Sequence, residues 1–97
     1  MIELAKKLLS TSNKSLKLTK GELYFNEGNY KKALKTLQNI DNQRAKFLEV
    51  ICHKQLRNHD IAIEKFYEYE QYLNNMPESD NKVMYLSDLE ELRYWIV

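Results

Sequence analysis

Two stretches of this chain repeat at identical offsets, and this repetition constrains the fold more than any other feature. Gly28-Asn29-Tyr30 precedes Ala33, Leu37 and Ile40, while Arg57-Asn58-His59 precedes Ala62, Phe66 and Tyr69. Each stretch opens on turn and cap residues and continues with apolar residues three and four apart, the period of a helix face. Twelve residues before Ala33 lies Gly21, with Tyr24 three later; twelve before Ala62 lies Val50, with His53 three later. Each unit is therefore a pair of helices. Small residues in mid-helix let two backbones approach where a large side chain would hold them apart, so Gly21 and Ala33 are expected to form the contact of the first pair. Such units cannot bury their apolar faces alone and need stacked neighbours.

The rest of the chain reads as further helices. Ile2, Ala5 and Leu9, flanked by Leu4 and Leu8, make an amphipathic helix over 1–12. Ser10-Thr11-Ser12-Asn13 is a cap-forming cluster, yet Leu16, Thr19 and Leu23 would prolong the stripe if the helix ran through. A second helix is expected from Lys14 to Glu27, closed by Gly28, and a third, short one from Tyr30 to Ile40 with Asn29 as its cap. Asp41 and Asn42 stop it and cap a fourth, built on Ala45, Leu48, Val50, Ile51, Cys52 and Leu56. Ala62 to Leu73 make a fifth, and the stretch from Asn74 to Asp80, with Pro77, is the clearest loop. A last helix over 79–97 puts Tyr85, Leu89, Leu92 and Ile96 on one face, with Met84 and Trp95 beside them. With only two glycines and one proline in 97 residues, an all-β fold is nearly excluded. The expectation is one all-α domain over 1–97, with no apolar run near the ~20 residues that span a bilayer.

From Lys14 to Asn75 the chain resembles the tetratricopeptide repeat family. That family's pattern has a small residue followed three later by an aromatic, then an alanine followed four later by an aromatic. Gly21 and Tyr24 fit the first half; Gly28-Asn29-Tyr30-Lys31-Lys32-Ala33-Leu34 and Ala62-Ile63-Glu64-Lys65-Phe66 fit the turn and second helix. Departures are plain as well. Lys17 and Lys20 replace large apolar residues, Leu37 replaces an aromatic, and Val50 and Arg57 stand where small residues are usual. The two alanines are 29 apart, against roughly 34 in the family, so the third helix is about a turn short. The resemblance implies two degenerate antiparallel repeats over 14–75, capped by an N-terminal helix (1–12) and a C-terminal helix (79–97).

Charge is distributed unevenly. Residues 1–57 carry twelve Lys or Arg against five acids, +7, whereas residues 58–97 carry three against nine, −6. Such a dipole steers charged partners and favours contact between unlike ends of two copies. Lys6, Lys7, Lys14, Lys17, Lys20, Lys31, Lys32 and Lys35, interleaved with Tyr24, Phe25 and Tyr30, give the alternative reading of a nucleic-acid-binding helical protein. Only three arginines and a net charge of +1 argue against that alternative.

Catalytic chemistry has little to work with. Cys52, His53 and His59 are the only thiol and imidazoles; adjacent helix residues point about 100° apart and His59 follows a break, so no two-ligand metal face arises. Gly21 and Gly28 are not followed by the Lys-Ser or Lys-Thr of a phosphate loop. A single cysteine permits no internal disulfide and suits a reducing compartment, the cytosol. No export signal is visible, because Lys6 and Lys7 are followed only by Leu8 and Leu9 before Ser10. Neither an enzymatic activity nor a cofactor or metal is expected.

The resemblance implies a non-catalytic module, of the adaptor, chaperone or inhibitor kind, that holds a peptide or helix of another protein in a groove lined by the first helix of each repeat. Carried over, the partner-binding candidates are Leu18, Glu22, Phe25 and Asn26, then Arg44, Phe47, Ile51, Lys54 and Gln55. Phe25 and Phe47 are the expected anchors. The apolar arc of the last helix, with Met84, Tyr85 and Trp95, is expected to support a weak homodimer.

Overall fold

The computed structural model describes residues 16–96. Among these residues there are five helices, 80% of the positions, and no strand. The first, α1, is helical over 16–26; α2 is Tyr30–Leu37, α3 Gln43–Gln55, α4 His59–Asn74 and α5 Asp80–Ile96. The expected helix over 1–12 lies outside the described residues.

The two turns that repeat in sequence repeat in geometry. Gly28 (φ +80°) and Arg57 (φ +64°) both adopt the left-handed conformation. Around them the amide of Gly28 donates to the carbonyl of Phe25 and that of Asn29 to Tyr24, while Arg57 donates to Lys54 and Asn58 to His53. This is the same pair of bonds that satisfies the last carbonyls of a helix in a Schellman ending, made at equivalent positions. Arg57 takes the conformation without glycine's freedom, so this turn carries strain that the first does not.

The caps that follow differ in detail. Asn29 Oδ1 accepts from the Lys32 amide at 3.4 Å, and Asn42 Oδ1 accepts from Arg44 at 2.8 Å and Ala45 at 3.4 Å. α2 ends at Leu37, three residues before the expected Ile40. Gln38 turns to an extended conformation and Asn39 enters the left-handed region at φ +67°, which a short polar side chain tolerates. Ile40 then packs beside the helix as a half-buried residue.

From α2 to α5, each helix packs chiefly on its neighbour in sequence, with α3 at the centre. Ala45, Leu48 and Cys52 of α3 join Ala33 and Leu37 of α2 in one buried cluster, against which Leu18, Tyr24 and Phe25 of α1 pack. Val50 of α3 joins Phe66, Tyr69 and Leu73 of α4 and Leu89 and Leu92 of α5 in a second. Phe47 touches both. A helix buried on two sides needs apolar residues around most of its circumference, which explains why α3 lacks a single clean stripe.

Gly21 is buried, but the side chain nearest to it is Leu37 rather than Ala33. A β-carbon at Gly21 would lie 2.5 Å from Leu37 Cδ2 and 2.6 Å from Cγ. Leu37, at the end of α2, thus occupies the space the glycine leaves.

The turn into α5 is held by a lysine. Lys82 is 7% exposed, and its Nζ donates to the carbonyls of Asn74 (3.4 Å) and Met76 (3.0 Å) and to Glu78 Oε1 (3.0 Å). It satisfies carbonyls at the C-terminal end of α4, where a cation is also favoured by the helix dipole. Ser79 Oγ caps α5 by accepting from the Lys82 amide at 3.1 Å. On the other side of the pair, Arg93 of α5 bonds to Glu70 of α4 and lies over the Phe66 ring.

Candidate partner-binding groove

α3 meets α1 through an ion pair and faces α5 across a cavity. Glu22 of α1 and Arg44 of α3 form an ion pair at 3.0 Å between two largely exposed side chains, and the guanidinium lies 5.5 Å from the Phe47 ring centroid. Phe47 and Ile51 of α3 face Asp88, Glu91, Leu92 and Trp95 of α5 across an open cavity of about 270 Å³. Lys54 Nζ stands 5.8 Å from the Trp95 ring centroid, within reach of a cation–π attraction. The result is an apolar floor with two carboxylates on the α5 wall and two cations on the α3 wall.

Of the candidates from sequence, Phe47 and Ile51 line the cavity and Arg44 and Lys54 flank it. Glu22 reaches it through Arg44. Leu18 and Phe25 are half-buried against the α2–α3 cluster, with Phe25 edge-on to Tyr30 at 5.6 Å between centroids. Asn26 and Gln55 are exposed at the helix ends. Trp95, expected to serve self-association, is 43% exposed in the cavity, while Tyr85 is half-buried against the core and Met84 is exposed. Asp88, Glu91 and Leu92 line the cavity in addition to the residues expected from sequence. The spacing of Asp88, Glu91 and Trp95, three and four apart, puts them on one side of α5, but only the placement of α5 beside α3 turns that side into a wall.

The opposite side of α3 carries a polar crevice of about 270 Å³ between the turn after α2 (Asn39, Ile40, Asp41) and α4, where Lys46 and Glu49 face Lys65 and Glu68. Burial pushes the Glu49 carboxyl up from its ordinary value, opposed by Lys65 and Lys46. Burial likewise pushes His53 down, with Lys65 adding to the effect, and its Nδ1 is buried with no hydrogen-bond partner. Cys52 faces the α2 cluster instead; burial, and secondarily Glu49, push its thiol up to about 12, which keeps it protonated at neutral pH. No group of three His, Cys, Asp or Glu able to hold a metal ion occurs among the described residues.

The aromatic rings interleaved with the lysines are engaged within the fold. Phe25 and Tyr30 pack on each other, and Tyr24 is half-buried with Lys32 Nζ 5.7 Å from its ring centroid. No helix among the described residues is long and apolar enough to cross a membrane. No protein-family model, curated protein or solved structure matches the chain.

Proposed function

We propose that the chain is a non-catalytic, tetratricopeptide-like module that holds an apolar side chain, presented by a helix or peptide of another protein, in the groove between α3 and α5. The observation that carries this reading is the cavity itself. Phe47, Ile51, Leu92 and Trp95 converge on it from two helices, with Arg44 and Lys54 on one rim and Asp88 and Glu91 on the other. An apolar floor anchors a bulky side chain, and rims of opposite sign fix the direction of the segment that bears it. The matching turns at Gly28 and Arg57, and the close packing at Gly21, support two repeats of one helix-pair unit.

Trp95 is the only tryptophan in the chain, so its emission reports occupancy of this groove. Peptides selected from a displayed helical library against the whole chain should shift that emission. They should also bind at least tenfold more weakly to Ile51→Lys, a half-buried position, at unchanged helicity. Selected binders indifferent to Ile51→Lys and silent in Trp95 emission would reject the groove.

A further inference from the structure

We infer that a second cavity, where α2, α3 and α4 converge, binds a small tetrahedral oxyanion of the phosphate class. It is lined by Leu34 and Lys35 of α2 with Gln38 just after them, Glu49 and His53 of α3, and Lys65 of α4, and measures about 240 Å³. Glu49 and His53 are four apart and share a side of α3, opposite the side that Phe47 and Ile51 give to the groove. The cavity adjoins the polar crevice, with Glu49 and Lys65 lining both.

His53 points to a ligand. Its Nδ1 is the one buried side-chain nitrogen or oxygen without a hydrogen-bond partner among the described residues. An unpaired buried polar atom costs its own desolvation, so a group that enters the cavity and pairs with the imidazole recovers that cost. Charge and bonding capacity then select the occupant. Lys35 and Gln38 are exposed, and the side chain of neither bonds to another described residue. Lys65 shares its ammonium with Glu68 at 3.3 Å. Two ammonium groups, a carboxamide and an imidazole N–H can all donate, and Glu49 is the only carboxylate on the lining. Burial favours the protonated form of that carboxyl. Donors supplied by three helices approach from different sides, which suits the four oxygens of a tetrahedral anion better than the two of a carboxylate. The space is several times the ~30 Å³ one water takes up in the liquid, enough for such an ion. A bound anion favours the imidazolium and raises the pKa of His53, which burial and Lys65 otherwise hold down.

The test is an NMR titration of the whole chain with sodium phosphate, near neutral pH and at constant ionic strength, read on the imidazole signals of the two histidines. His53 should move along a saturable curve, while His59, exposed at the start of α4, should stay. Acetate, a monoanion with two oxygens, should bind more weakly. Lys35→Gln, at an exposed position, should weaken phosphate binding about fivefold, and Lys35→Arg should keep it. Lys32→Gln removes the same charge from the side of α2 that faces Tyr24 and should change nothing. Sulfate stays a dianion across the range in which His53 titrates, so its affinity should rise as pH falls through that range. A His53 signal indifferent to phosphate, an equal response of His59, equal binding of acetate, equal losses in Lys35→Gln and Lys32→Gln, or a sulfate affinity independent of pH would each overturn the inference.

Discussion

Replacing Gly21 by alanine tests the packing of the first helix pair, because two effects of opposite sign meet there. In a solvent-exposed helix interior the change stabilises by about 1 kcal/mol, since glycine loses more conformational freedom on folding. At Gly21 the new β-carbon would sit 2.5 Å from Leu37 Cδ2 and 2.6 Å from Cγ. Cγ is the branch point of a fully buried side chain, so Leu37 cannot swing clear and must change rotamer or force the helices apart. Overpacking of this kind costs about 1–3 kcal/mol, and the close approach of two atoms argues for the upper half of that range. A net loss of about 1–2 kcal/mol follows, which for a domain of this size lowers Tm by roughly 4–16 °C. The decisive measurement is a double-mutant cycle with Leu37→Ala, followed by urea unfolding near about 15 °C, where stability curves peak. Leu37→Ala removes both clashing atoms and is itself costly, but in that background Gly21→Ala should stabilise. The sign reverses. If Gly21→Ala raises stability in the wild-type background, the space assigned to Leu37 is wrong, and the argument for close packing between α1 and α2 fails.

Ala33 and Ala62 are buried at equivalent positions, so Ala33→Leu should cost about 1–3 kcal/mol by overpacking and Ala62→Glu more, by burying a charge; thermal melts followed by circular dichroism compare them. Arg57→Gly should stabilise by about 0.5–1 kcal/mol, because glycine adopts the left-handed turn without strain; a drop in the urea midpoint would refute this. Lys82→Met should cost about 1–3 kcal/mol through unsatisfied carbonyls, whereas Glu78→Gln should be nearly silent because Glu78 is largely exposed. His53 is held below its ordinary pKa, so the folded state binds fewer protons than the unfolded one between the depressed value and 6.5. Stability therefore rises with pH through that window and is lost as pH falls through it, and His53→Gln should flatten this part of the urea-midpoint profile.

The sequence by itself determined the all-helical character of residues 16–96 and most of the helix ends there. Gly28, Asn29, Asn42 and the Pro77 loop act through local backbone preferences, which do not depend on distant contacts. The left-handed Arg57 sits at the offset that Gly28 holds in the other stretch. Tertiary structure decided what faces what. Leu37, not Ala33, fills the space beside Gly21 because the eight-residue α2 brings its last turn against α1. Lys82, unmarked in sequence, is buried only because α5 folds back against the end of α4 and places its ammonium among free carbonyls. The groove is of the same kind: Phe47 and Ile51 could be placed on one side of α3 by spacing, but Asp88, Glu91 and Trp95 become its opposite wall only through the docking of α5. Helix periodicity fixes which residues share a side of one helix, while the distance between two sides is set by packing among residues far apart in the chain.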